Sequence, residues 1–124
     1  MEDSAVAKVL VVEDEPILRM MAVDILEDAE FIVMEASNSH EALTILKTMP
    51  DLHVLFTDVQ MPGGMNGLAL AHLTAREYPG VRIIIVSGHV VPRPHELPSG
   101  AVFVAKPYEA RKVVAHVHRL RHAA

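Results

Sequence analysis

The sequence predicts an α/β domain in which one open, five-stranded parallel sheet carries helices on both faces. Short apolar, β-branched runs alternate along the chain with stretches whose apolar residues recur at helical spacing. The links between them are short, as in repeated strand–helix units. Five such units are too few to close a barrel of alternating strands and helices, so the sheet stays open. A chain of 124 residues suits a single domain, residues 1–124, and at that size roughly two-thirds of the unfolded surface can be buried without staples.

The first strand is Lys8-Val9-Leu10-Val11-Val12, an uninterrupted apolar run of the kind a buried parallel strand requires. Glu13-Asp14-Glu15 follow, and Pro16 opens a helix whose first turn does not need its missing N–H. Leu18, Met21, Ala22, Ile25 and Leu26 give that helix an apolar face through about Asp28. Phe31-Ile32-Val33-Met34-Glu35 is the second strand. Asn38, with Glu41 three residues on, has the form of a capping box. It opens a helix that buries Ala42, Leu43, Leu46 and Met49 and is closed by Pro50. Residues 53–57 form the third strand, which ends at Asp58 beside the forced turn Met61-Pro62-Gly63-Gly64.

Asn66 caps the next helix, which contains Leu68, Leu70, Ala71 and Leu73 and stops at Pro79-Gly80. Val81-Arg82-Ile83-Ile84-Ile85-Val86 is the fourth strand and leads into Ser87-Gly88-His89. Residues 90–100 carry Pro92, Pro94 and Pro98, which exclude a full-length helix and leave a single turn or an irregular loop. Ala101-Val102-Phe103-Val104 is the fifth strand, followed by Ala105-Lys106-Pro107. The last helix covers about residues 109–120, with Val113, Val114, Val117 and Leu120 facing the core.

Composition narrows the function. Sixteen acids against 11 Lys and Arg give a formal charge of -5, which offers no electrostatic basis for binding nucleic acid. Arg111, Lys112, Arg119 and Arg121 gather near the C-terminus as solvated helix surface. With no cysteine, disulfides and thiolate metal sites are excluded, which fits a reducing compartment. No apolar run approaches the length of a membrane helix, and Met1-Glu2-Asp3 is acidic, unlike a signal peptide. A cytoplasmic protein without a membrane partner is expected. Among the eight histidines no HExxH pair occurs; His118 and His122 share a helix face, where a C-terminal turn favours cations.

In a parallel sheet the C-terminal ends of all strands lie on one edge, and ligands bind there. This sequence brings Glu13 and Asp14 to that edge from the first strand, Asp58 from the third, Ser87 from the fourth and Lys106 from the fifth. Singly, each has an ordinary role: Asp58 and Ser87 in turns, Lys106 in solvent, Glu15 against a helix dipole. Their coincidence on one edge points to a site. Asp14 and Asp58, with Glu13 nearby, make a hard-oxygen pocket suited to Mg²⁺. Lys106 can pair with a phosphoryl oxygen or, in the empty site, with Asp58, and Ser87 can hydrogen-bond a second oxygen. Asp58 is then left as the nucleophile for an acyl phosphate. His89, two residues after Ser87, is placed to contact bound phosphoryl or water.

The runs Val11-Val12-Glu13-Asp14-Glu15, Thr57-Asp58-Val59-Gln60-Met61-Pro62, Val86-Ser87-Gly88 and Ala105-Lys106-Pro107-Tyr108, in this order and spacing, resemble the receiver domain of two-component response regulators, in the single-domain, chemotaxis-regulator-like form. The resemblance covers residues 8 to about 120. It implies the flavodoxin-like strand order 2-1-3-4-5. It also implies that Asp58 accepts phosphate from a phosphohistidine on a histidine kinase or histidine phosphotransfer protein. Mg²⁺ would be held by Asp14, Asp58 and the Gln60 backbone carbonyl, with Glu13 acting through water. By the same resemblance Ser87 is the switch hydroxyl, Lys106 the phosphate-sensing lysine and Phe103 the switch aromatic. Gln60 and His89 occupy positions that tune dephosphorylation, and the Lys106–Pro107 bond is expected to be cis.

Two features depart from the common receiver pattern. The turn Met61-Pro62-Gly63-Gly64-Met65-Asn66-Gly67 has one residue more, which should alter the loop but not the site. The Pro-rich residues 90–100 stand where receivers carry a fourth helix, so the partner geometry built on that helix does not transfer. An order–disorder response of this segment is expected in place of a helix shift. The expected function is a phosphorylation-controlled module that catalyses only its own phosphorylation and dephosphorylation. Output is expected through an unidentified protein partner, with a homodimer as one option, or else the domain serves as a phosphate shuttle or sink. A Mg²⁺-dependent phosphohydrolase working through an aspartyl phosphate is the first alternative, disfavoured because Gln60 cannot serve as a general acid. A flavin or nucleotide binder lacks a Gly-rich loop after the first strand. A degenerate receiver acting only by interaction is the remaining alternative.

Overall fold

The chain builds β1 (Lys8–Val12), β2 (Ile32–Ala36), β3 (Val54–Asp58), β4 (Arg82–Ser87) and β5 (Val102–Ala105). All neighbouring pairs run parallel, in the order β2-β1-β3-β4-β5, as the sequence led us to expect. This computed structural model describes residues 6–61 and 63–121; the expectations for Met1-Glu2-Asp3, Pro62 and His122 lie outside the described residues. Four helices accompany the sheet: α1 (Pro16–Asp28), α2 (Ser39–Thr48), α3 (Gly67–Glu77) and α4 (Ala110–Arg121).

Every residue of β3 is buried, which is why its sequence shows no polar alternation: both faces of the sheet are covered. Successive side chains of the central strands go to opposite faces. Val9, Val11, Phe56, Ile84 and Val86 meet Ala22, Val23 and Leu26 of α1 and Val113, Val117 and Leu120 of α4. Leu10, Val12, Leu55, Ile83 and Ile85 meet Ala42 and Leu46 of α2 and Leu70 and Ala71 of α3. At the edge opposite the strand C-termini, His53 ties three strands together. Its amide donates to the Lys8 carbonyl at 3.0 Å, its Nδ1 accepts the Lys8 amide at 2.9 Å, and its carbonyl accepts the Arg82 amide at 2.9 Å.

Helix ends follow the side-chain chemistry with one correction. Asn38 Oδ1 accepts the Glu41 amide at 2.8 Å, and Asn66 Oδ1 accepts the Ala69 amide at 2.8 Å. The Glu41 carboxylate does not close a capping box on Asn38. It accepts instead from the Ser37 amide at 2.7 Å and the Ser37 hydroxyl at 2.8 Å, both donors of one residue. A second correction concerns α1. Leu18, Met21 and Ile25 do not reach the core, and Met21 is 54% exposed beside Ile17 at 72% and Met20 at 61%. The helix is apolar on most of its circumference, and the narrower Ala22–Val23–Leu26 arc is the one that packs on the sheet.

Between β4 and β5 the chain forms only the 3-10 turn Pro94–Glu96. This strap is ordered by specific contacts. Arg93 N–H donates to the Glu96 carboxylate at 2.7 Å, and the Glu96 amide donates to the Arg93 carbonyl at 2.8 Å. His72 Nε2 on α3 lies 2.6 Å from the Glu96 carbonyl oxygen; a carbonyl only accepts, so that nitrogen carries the proton. Pro92 and Pro98 are buried, and Leu97 packs on the α2/α3 core.

Candidate functional site

The strand ends bring the expected residues to one edge. Asp58, the last residue of β3, is 8% exposed and pairs in register with Val86. Its backbone is held from behind by Gly67, the first residue of α3, where an added Cβ would lie 1.5 Å from the Asp58 carbonyl oxygen. Only a residue without a side chain fits there. The Gly67 amide donates to the Val59 carbonyl at 2.8 Å, so the start of α3 and the end of β3 form one unit. Glu13, 4% exposed, is placed by its amide bond to the Ala36 carbonyl at 3.1 Å. Lys106 follows β5, its amide bonded to the Ser87 carbonyl at 3.0 Å, and the Lys106–Pro107 peptide is cis as expected.

Carboxylate oxygens of Glu13, Asp14 and Asp58 lie within 4.8 Å of one another. The Lys106 ammonium bridges two of them, at 3.0 Å from Glu13 and 3.4 Å from Asp58. The sequence suggested Asp58 as its resting partner; the ammonium pairs with Asp58 and, more closely, with Glu13. Burial pushes the Glu13 carboxyl above its usual range, against the opposing hydrogen bond and charge of Lys106. Burial also works against the Lys106 ammonium, but the Glu13 hydrogen bond and the Asp58 and Glu13 charges outweigh it and raise the lysine. Glu13 is further positioned by the Arg19 guanidinium, which donates to its carbonyl at 2.9 Å. Three hard oxygen donors in this spacing suit Mg²⁺.

Ser87 is buried at the same edge, and its hydroxyl accepts the Val90 amide at 3.2 Å. Gln60 and His89 are exposed at the rim of a groove of about 940 Å³ that opens over the acids. Phe103 does not join the groove lining. It is half-buried and packs on the α2/α3 core beneath the strap. The apolar wall of the groove comes from Leu18, Met21 and Ile25 of α1, facing Val90 and Tyr108. The Tyr108 ring meets Phe56 of β3 edge-on, with centroids 5.8 Å apart at 86°. Burial pushes its phenol up. Sequence reasoning gave Tyr108 and Gly67 no role, although each lies within a run quoted from the sequence. Apolar α1 positions read as core because spacing alone cannot distinguish a groove wall from an interior.

Comparison with known proteins agrees with this geometry. The family profile described as the response regulator receiver domain matches residues 9–118. A response regulator of Rickettsia bellii described as NtrX-like is 32% identical over 115 residues, covering 90% of this chain and 24% of that protein. The sensor kinase CckA of Brucella abortus is 31% identical over 121 residues, covering 94% of this chain and 13% of that protein. This chain therefore spans about a quarter or less of the length of these relatives. A response regulator receiver protein of Sinorhizobium medicae superposes with a TM-score of 0.88 at 23% identity, covering 98% of each chain, which supports the fold. Receiver domains typically bind Mg²⁺ at an acidic cluster, and the donor set of Glu13, Asp14 and Asp58 fits that ion. No described helix is long and apolar enough to cross a membrane. With the strand order, the acidic edge and the family match in agreement, this chain belongs to the response regulator receiver domain family.

Proposed function

We propose that the chain is a phosphoacceptor, in which Asp58 takes a phosphoryl group from a phosphohistidine of a histidine kinase or phosphotransfer protein. The observation that carries this reading is the cluster of three carboxylates within 4.8 Å, two of them bridged by one ammonium, at a groove lined by Asp14, Asp58 and Lys106. An Asp58 carboxylate oxygen attacks phosphorus, a P–O bond forms, and the donor P–N bond breaks with its electron pair returning to the imidazole. Asp14, Asp58 and the Gln60 carbonyl would hold Mg²⁺, with Glu13 acting through water, and the ion would supply charge neutralisation for the phosphoryl oxygens. Lys106 releases Glu13 and pairs with a phosphoryl oxygen. Ser87 gives up the Val90 amide and donates its hydroxyl proton to another. Gln60 and His89 at the rim meet the water that later hydrolyses the acyl phosphate. The apolar wall of α1 with Tyr108 receives the donor protein, and residues 88–91 carry the change outward to an output partner.

Incubation with Mg²⁺ and a small acyl phosphate, followed by intact-mass measurement, tests the assignment. One phosphoryl adduct on the wild type and none on Asp58→Asn is the expected result. Rapid turnover of phosphate esters without a stable adduct would instead identify a hydrolase. Absence of both the adduct and Mg²⁺ binding would leave a module that acts by interaction alone.

A further inference from the structure

The segment between Asp58 and α3 is fixed at both ends, and within it Met61 is buried in the α2/α3 core and Met65 packs against that core, while two glycines are exposed. At one end Val59 is buried and its amide donates to the Val86 carbonyl at 3.0 Å. At the other, Gly67 closes on Val59 and Asn66 caps α3. Between them lie Gly63, at φ 78, and Gly64, both exposed, with open space where a side chain would stand. Two adjacent glycines lose more conformational freedom on ordering than any other pair of residues. By the resemblance to receivers, this turn also carries one residue more than their common pattern. Gln60, whose carbonyl is the proposed Mg²⁺ ligand, sits at the start of the same excursion.

One buried hydroxyl from another helix holds the loop just after its glycines, at Met65. Ser39, the first residue of α2, is 5% exposed, and its Oγ–H donates to the Met65 carbonyl at 2.9 Å, across 26 residues of sequence. The hydroxyl is not needed to start its own helix, because Asn38 already caps α2. A hydroxyl buried this fully is retained where it has a partner, and this one reaches the loop after the phosphoacceptor. Beside it, a surface recess of about 330 Å³ lined by Asn38, Leu43 and Gly64 leaves room for an added methyl group.

We propose that Ser39 is a positioning residue for the phosphoacceptor site, latching the lengthened loop at Met65 so that the Gln60 carbonyl is held in place for the metal. The inference rests on the phosphoacceptor reading for its functional consequence, but not for the latch itself. Ser39→Ala removes the donor, whereas Ser39→Thr keeps it and places its methyl toward the recess.

NMR relaxation of the metal-free protein reads the latch directly. In Ser39→Ala the order parameters of Gln60, Met61, Gly63, Gly64 and Met65 fall from near 0.85 to below about 0.6, and Ser39→Thr restores them. A Mg²⁺ titration then reads the consequence: the apparent dissociation constant rises about three- to tenfold in Ser39→Ala and returns in Ser39→Thr, in line with the loss of one hydrogen bond. Unchanged loop order in the alanine variant, even with a lower melting temperature, overturns the latch. A loosened loop with an unchanged Mg²⁺ constant overturns the positioning role. If the wild type neither binds Mg²⁺ nor accepts phosphate, the phosphoacceptor reading fails, and loop order still decides the latch.

Discussion

Glu13 shows how a single residue can serve a site at the expense of the fold around it. Its carboxylate is almost fully buried and borrows Lys106 as its cation, yet burial still leaves its pKa raised. A folded-state pKa above the unfolded value means that the folded protein binds the proton more tightly. The associated stability is therefore present below the ordinary glutamate range and is lost as pH rises through the folded value. Glu13→Gln removes that loss. Chemical denaturation of the metal-free protein is expected to show the variant gaining on the wild type as pH rises from about 4 to about 7.5. The opposite trend would mean that the Lys106 pair outweighs burial. That Lys106, Asp14, Asp58 and Ser87 meet at one edge was legible because strand ends of a parallel sheet share it. The Glu13–Lys106 pairing was not, because which carboxylate stands nearest the ammonium depends on depths of a few tenths of an ångström that sequence spacing does not encode.

Among the elements, β3 and the strap between β4 and β5 mark the two extremes of legibility. A fully buried parallel strand must be apolar throughout, so Val54–Asp58 was readable together with its terminal acid. The prolines excluded a helix in residues 90–100, but the pattern could not reveal the His72 pin or the burial of Pro92 and Pro98. Those contacts divide the strap. Val90 and Val91 are exposed, with the Ser87 hydroxyl bonded to the Val90 amide, whereas Glu96, Leu97 and Ala101 close on bonded carbonyls. Hydrogen exchange with and without a phosphoryl mimic is therefore expected to speed up at Val90, roughly tenfold for loss of its one bond. Glu96, Leu97 and Ala101 should be unchanged. Uniform loosening of all these amides would favour the wider order–disorder response, and equal protection throughout would exclude any response of the strap. The rotation of α1 was illegible for a different reason: a helix apolar on most sides does not specify which arc meets the sheet.

Across the whole molecule, the sheet separates two cores that share no side chain, with α1 and α4 on one side and α2 and α3 on the other. The site straddles their common rim: Glu13, Asp14 and Lys106 adjoin the first side, and the loop latched by Ser39 belongs to the second. Alternation of strands and helices was enough to predict this layering, while the strand order came from the resemblance to receivers. The uncovered face of α1 has one further consequence. Met20 and Met21 present their thioethers to solvent beside the groove, within reach of peroxide. Oxidation would turn two apolar, pliable side chains into polar sulfoxides without touching a carboxylate. Mild peroxide treatment is expected to slow transfer from a phosphohistidine protein by at least about threefold while leaving the rate with a small acyl phosphate unchanged. A Met20→Leu, Met21→Leu variant should resist the effect. An equal fall in both rates would place the damage at the acceptor site instead. On the proposed reading, the face that receives the donor is also the oxidant-sensitive one, and chemical stress uncouples the protein from its phosphate source while the acceptor stays intact.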